Sequence, residues 1–111
     1  MKIAVVGSRK ITQINLSEYL DSSCTEIVSG GARGVDECAR AYACENAIKL
    51  QLFLPEYDKY GRGAPILRNR SIVDYSDKVL IFWDGSSKGT KWVIDYCRRT
   101  NREYELYVIE Q

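Results

Sequence analysis

The chain contains no histidine. That removes the side chain most often used as a general base, the serine triads built on it, and most zinc sites. Chemistry here has to run on carboxylates, on Tyr, Lys or Cys, or on a bound metal. An excess of one charge is also missing. Sixteen Lys and Arg face fifteen Asp and Glu, a formal net charge of +1, so no global field argues for a nucleic-acid partner. No apolar run approaches the ~20 residues of a membrane span. Met1-Lys2 leads straight into a strand-like run with no signal peptide visible at the start. A cytoplasmic protein without a membrane partner is expected. Cys-x-x-Cys spacing is absent as well. Cys24, Cys38, Cys44 and Cys97 read as buried or partly buried free thiols, with Cys38 and Cys44 inside one predicted helix, and no metal site is expected from them.

What is present is an ordinary globular composition, 45% hydrophobic and 28% charged in 111 residues, which predicts one domain over residues 1–111. Strands are expected at about 2–6, 26–29, 50–54, 78–83 and 105–109. Helices are expected at about 14–20, 35–46, 65–75 and 90–99, with 56–64 as a loop. Pro55 ends the third strand, and Pro65 opens a helix as a favoured first residue. The helix at 35–46 places Val35, Cys38, Ala39, Tyr42 and Ala43 on one face. The last helix turns Trp92, Val93, Tyr96 and Cys97 to the core. Strands one, two and four are continuous apolar runs, the mark of strands buried on both faces. Strict strand–helix alternation predicts an α/β, three-layer Rossmann-like domain with a five-stranded, mainly parallel sheet.

Three glycine-containing segments stand where a strand hands over to a helix. They are Gly7-Ser8-Arg9, Ser29-Gly30-Gly31-Ala32-Arg33-Gly34-Val35-Asp36, and Asp84-Gly85-Ser86-Ser87-Lys88-Gly89-Thr90. Helix N-termini carry unpaired N–H groups and the positive end of the dipole, and glycine lets that backbone approach a phosphate. In parallel sheets ligands bind at the carboxyl ends of the strands, beside the switch in strand order. The three segments therefore predict one pocket for a phosphorylated small molecule, a nucleotide or a derivative of one.

The first segment by itself is read as a tight turn; in combination, Ser8 and Arg9 offer a hydroxyl and a guanidinium to a phosphate. The second has more glycines than a turn needs. It is neither a dinucleotide fingerprint nor a Gly-x-x-x-x-Gly-Lys-Ser/Thr loop. Asp36 suits the helix dipole, and is also a candidate ribose acceptor or catalytic carboxylate. The third offers Ser87, Lys88, Gly89 and Thr90 as donors, with Thr90 as the helix cap. Asp84 either initiates the turn or holds a ribose or a Mg²⁺ that accompanies the nucleotide. Arg68 and Asn69, in the first turns of their helix, reach the same rim, or else form a solvated face. Tyr57 and Tyr60 are read as covers for the core edge, with base stacking as the alternative.

Gly-Ser-Arg after strand one, Ser-Gly-Gly-Ala-x-Gly-x-Asp after strand two, Arg68-Asn69 before strand four and Gly-x-Ser-x-Gly-Thr after it together resemble the SLOG superfamily. Within it the chain is similar to the small stand-alone proteins of the YspA and YpsA-related type, over nearly its whole length. The resemblance implies a Rossmann-like domain that binds nucleotide-derived ligands, with phosphate near Gly30, Gly31, Gly34, Gly89 and Thr90, and a homodimer. The related LOG phosphoribohydrolases carry Pro-Gly-Gly-x-Gly-Thr-x-x-Glu and use that glutamate. The aligned stretch here keeps Gly89-Thr90 but has Val93 in place of the acid. Another relative, the DNA-processing protein DprA, binds single-stranded DNA. Three readings stand: a binding or sensor domain; an N-glycoside or phosphate hydrolase using Asp36 or Asp84; and a single-strand nucleic-acid binder, which the charge balance disfavours.

Overall fold

A computed structural model describes residues 1–110. Five strands, β1 (Lys2–Gly7), β2 (Glu26–Ser29), β3 (Lys49–Leu52), β4 (Lys78–Trp83) and β5 (Tyr104–Val108), alternate with helices α1 (Val35–Glu45), α2 (Tyr57–Tyr60), α3 (Ala64–Tyr75) and α4 (Lys88–Arg99). The sheet order is β3-β2-β1-β4-β5 and every pair is parallel. The chain winds outward from β1 to β3, then returns to lay β4 against the other side of β1. Ala4 accordingly pairs with Val28 on one side and Val79 on the other. The winding reverses between β1 and β4, so the crevice above their carboxyl ends is the switch point of the sheet.

Alternation along the central strands fills both faces. Ile3, Val5, Ile27, Leu80 and Phe82 pack with α1 through Val35, Ala39 and Ala43, and with Ile11, Leu16 and Leu20. Ala4, Val6, Val28, Val79 and Ile81 face α3 and α4 through Ile72, Val73, Val93, Ile94 and Cys97. This is the three-layer arrangement expected of buried parallel strands. Trp92 and Tyr96 are only half-buried on α4, stacked on one another, while Ile94 supplies core that the periodicity had given to them.

Four segments differ from the sequence-based expectation. Residues 14–20 form no α-helix, only a 3-10 turn over Leu16–Glu18. The run is too short to nucleate a stable helix. Its polar side chains bond locally instead: the Ser17 hydroxyl donates to Asn15 Oδ1 at 2.6 Å. The loop expected at 56–64 holds the single turn of α2 and a 3-10 turn over Gly61–Gly63. Helix α4 begins at Lys88, so Ser87 rather than Thr90 is the capping residue. β3 ends at Leu52, although the Phe53 N–H still donates to Ser29 O at 2.9 Å. All four cysteines are free; Cys24 and Cys97 are buried and Cys38 half-buried, but Cys44 is exposed on α1, contrary to expectation. Burial pushes the Cys97 thiol up to about 11, leaving it protonated and inert at neutral pH. Among the described residues no helix is long and apolar enough to cross a membrane.

Candidate functional site

A cavity of about 460 Å³ opens at the switch point. It lies within the ~300–1,000 Å³ range of small-molecule sites. The end of β1 and its loop contribute Gly7, Arg9 and Lys10. α1 and the turn before it contribute Ala32 and Asp36. The α3 stripe Pro65, Arg68, Asn69 and Ile72 forms one wall, and Asp84, Ser86, Ser87, Gly89 and Thr90 form another. Nine of the residues singled out from sequence meet here: Gly7, Arg9, Asp36, Arg68, Asn69, Asp84, Ser87, Gly89 and Thr90.

The other expected site residues lie elsewhere. Ser8 is buried; its N–H donates to Phe82 O at 3.0 Å and its hydroxyl accepts the Asp84 N–H at 3.1 Å. It ties the end of β1 to the end of β4. Ser29 is buried and its hydroxyl accepts the Gly31 N–H at 3.4 Å. Gly30 and Gly34 are buried beneath the rim, while Gly31, Arg33, Gly85 and Lys88 are exposed outside the cavity.

Arg68 is a staple as well as a charge. Its Nη1 donates to Gly30 O at 2.8 Å and its Nε to Asn69 Oδ1 at 2.8 Å. A Cβ on Gly30 would stand 2.6 Å from that guanidinium. Gly30 is therefore glycine so that an arginine of α3 can lie across it. Two of the five guanidinium donors are used in these bonds, and Arg68 also lines the cavity.

Gly34 has a firmer steric reason. It sits at φ +75°, and a Cβ there would stand 2.5 Å from Arg9 O and 2.6 Å from Ser8 O. Its N–H is taken by Glu37 Oε1 at 3.1 Å, one arm of a capping box on α1. Gly89 has no such reason. It lies in the first turn of α4, lines the cavity, and a Cβ there would have nothing within 4 Å.

The two aspartates face opposite electrostatic conditions. Asp36 is 8% exposed, and its Oδ2 accepts the Ala32 N–H at 3.0 Å. Burial raises its pKa, opposed by that N–H and by the charge of Arg68. Asp84 Oδ1 accepts the N–H groups of Ser86 at 2.9 Å and Ser87 at 2.8 Å. Those bonds lower its pKa and close the turn into α4. Among the described residues no group of three or more His, Cys, Asp or Glu is placed to hold a metal.

Lys10, Ala32, Pro65, Ile72 and Ser86 line the cavity without having been singled out as site residues from sequence. Pro65, Arg68, Asn69 and Ile72 fall at i, i+3, i+4 and i+7, a helical stripe that could have been read directly. Val6 and Val93 are apolar floor residues. Val93, where the LOG enzymes have their acid, thus lies in the cavity and offers it no carboxylate.

Fold and cavity define an α/β protein with a crevice lined by charges of both signs at the switch point of a parallel sheet. The family model described as DNA recombination-mediator protein A matches residues 1–55, which run through the first two glycine segments to Pro55. This match supports the SLOG superfamily. No curated protein and no solved structure matches the chain.

Proposed function

We propose that this protein binds a nucleotide or a nucleotide-derived phosphorylated ligand in the switch-point cavity, as a small stand-alone SLOG protein of the YspA and YpsA-related type. The phosphate lies against the first turn of α4, where N–H groups and the dipole favour an anion. The observation that carries this reading is Gly89. Glycine lowers helix stability, nothing packs within 4 Å of where its Cβ would be, and the residue lines the cavity. Arg9, Lys10 and Arg68 supply cations on the facing walls. Asp36, with Ala32 on one oxygen, is positioned to accept a hydroxyl such as a ribose would present.

Binding without turnover is the favoured form. Val93 provides no acid, Asp84 is committed to its turn, and Asp36 has a structural role at the start of α1. Titration against nucleoside mono- and diphosphates, with product analysis in the same samples, tests this. Saturable binding without release of base, phosphate or ribose phosphate is expected. Release by the native protein that is lost in a still-binding Asp36→Asn or Asp84→Asn variant would instead establish the hydrolase reading.

A second reading, DNA binding as a single-strand binder would do it, draws on the description of the matching family as a DNA recombination-mediator protein. Its mark would be affinity for an unstructured oligonucleotide that falls linearly with log salt. With a net charge of +1, a tight complex at physiological salt is not expected.

A further inference from the structure

The segment between β3 and α3 is barely tied to the rest of the protein. Every residue from 56 to 63 is exposed. The Phe53 N–H on Ser29 O anchors one end, and Ala64, 1% exposed, anchors the other. Between them the backbone bonds stay local. The Lys59 and Tyr60 N–H groups donate to Glu56 O, and the Gly61 N–H to Tyr57 O. Tyr57 is 56% exposed and Tyr60 44%, and neither belongs to a core cluster, so covering the core edge does not account for them. A hollow of about 380 Å³ lies between this segment and α3. Leu54, Glu56 and Tyr60 line it from the chain before α3, and Leu67, Arg70 and Asp74 from α3 itself. Glu56 and Arg70 share the hollow, yet among the described residues no ion pair between them ties the segment down. Few buried contacts and local hydrogen bonds are the marks of a segment that moves at low cost.

This strap ends at the wall of the switch-point cavity. Pro65 and Arg68, on α3, line that cavity, and Arg68 lines the hollow as well. Burial pulls the Arg68 pKa down, opposed by Asp36 in the cavity and by the Tyr57 phenol on the strap. Arg62 stands between Gly61 and Gly63. Gly61 is at φ +57°, and a Cβ on either glycine would meet nothing within 4 Å. Arg62 is exposed and has no ion-pair partner among the described residues. Resting on the nucleotide-binding reading above, we infer that residues 56–63 form a lid over the switch-point cavity, with Arg62 as a phosphate ligand supplied only on closure. With an anion in the cavity, the strap turns about its two glycines and lays the Arg62 guanidinium on a phosphate oxygen from the α3 side. The same movement carries Tyr57 and Tyr60 toward the mouth, where they exclude water and strengthen the charge contacts inside.

The test combines limited trypsin digestion with calorimetry, using ADP as the probe. Trypsin cuts after Lys59 and Arg62, and mass spectrometry identifies each cut. In the free protein these two are expected to be cut first. Saturating ADP should slow both by about fivefold or more, because cleavage follows the population of the open form. Arg62→Ala should keep the native melting temperature and bind ADP about tenfold more weakly, and Arg62→Lys should recover part of the loss. With ADP raised to saturate Arg62→Ala, the cut after Lys59 should stay fast, which separates closure from a general gain in stability. ADP that binds while leaving the strap equally open to trypsin, or that binds Arg62→Ala as tightly as the native chain, overturns the lid while the nucleotide-binding reading stands. Resistance of the free strap while other sites are cut overturns it too. Absence of ADP binding to the native protein contradicts both.

Discussion

The turns after β2 and β4 look alike in sequence and are built for different reasons. Both are glycine-rich, both lead from a buried strand into a helix, and each carries one aspartate at the cavity. In the turn after β2 the glycines answer to the protein. Gly34 leaves room for the carbonyls of Ser8 and Arg9, and Gly30 for the guanidinium of Arg68. In the turn after β4, Gly89 lines the cavity and a Cβ on it would meet nothing within 4 Å. The aspartates divide the same way. Asp36 is buried with a raised pKa; Asp84 holds its turn through two backbone N–H groups with a lowered one. Glycine density marks both turns; of the two glycines after β4, neither with an internal neighbour, Gly89 lines the cavity and Gly85, at φ +88°, lies outside it.

The sharpest way to break this contrast is Gly34→Val. A side chain at φ +75° would strike backbone oxygens that cannot yield as a side-chain tip can. The expected loss is about 3 kcal/mol or more, a fall in melting temperature of roughly 10 °C or beyond. A melting curve unchanged within a few degrees would remove the steric account of this turn.

Arg68→Ala comes next, because it loses two hydrogen bonds from a charged donor and leaves Gly30 O uncovered. The expected destabilisation is about 1.5–3 kcal/mol, with weaker nucleotide binding that is most marked at low salt, where charge is least screened. Chemical denaturation beside a titration at two salt concentrations separates the two effects. Native stability with reduced binding would make Arg68 a charge alone.

Gly89→Ala should act in the opposite direction on stability. A methyl group in open space strains nothing and favours the helix by up to about 1 kcal/mol, so the denaturation midpoint is expected to rise slightly. A clear fall would mean that Gly89 is held by packing.

The smallest effects are those of pH. Asp36 has a folded pKa above its ordinary value of 3.8. The folded state therefore holds the proton longer than the unfolded chain. The stability that protonation gives is complete below 3.8 and is lost as pH rises through the folded pKa. Asp36→Asn should thus be at least as stable as the native protein at pH ~7, with the difference vanishing toward acid. Asp84, lowered from 3.8, has the reverse sign: its contribution is present above that value and lost as pH falls through the folded pKa. Asp84→Asn should be the less stable protein at neutral pH, with the gap closing in acid. Parallel pH–stability curves for the two variants would erase the distinction between the turns.

Much of the fold was legible because β1, β2 and β4 are continuous apolar runs whose burial leaves little choice of element. The edge strands β3 and β5 are half exposed, and their ends moved by one or two residues. The segment at 14–20 has apolar residues at helical intervals, but Asn15 and Ser17 bond to one another and only a 3-10 turn survives. Strand-end loops told where the crevice would be. They did not tell which way each side chain turns. Nothing local in the sequence links Arg68 to Gly30, 38 positions away, and nothing marks Ser8 as a buried tie between β1 and β4. The stripe of Pro65, Arg68, Asn69 and Ile72 was legible from spacing alone, and reading the arginine and asparagine without their helical partners missed half of that wall.

The central claim is that the first turn of α4 is open at Gly89 in order to receive a phosphate. Calorimetric titration of AMP and ADP into the native protein and into Gly89→Val tests it most directly, with a melting curve for each protein. The account predicts saturable binding to the native chain and at least a tenfold loss in Gly89→Val, which keeps a native-like melting temperature because a Cβ there has no protein atom within 4 Å. Equal affinity in the two folded proteins, or no binding of either nucleotide to the native chain, would contradict it.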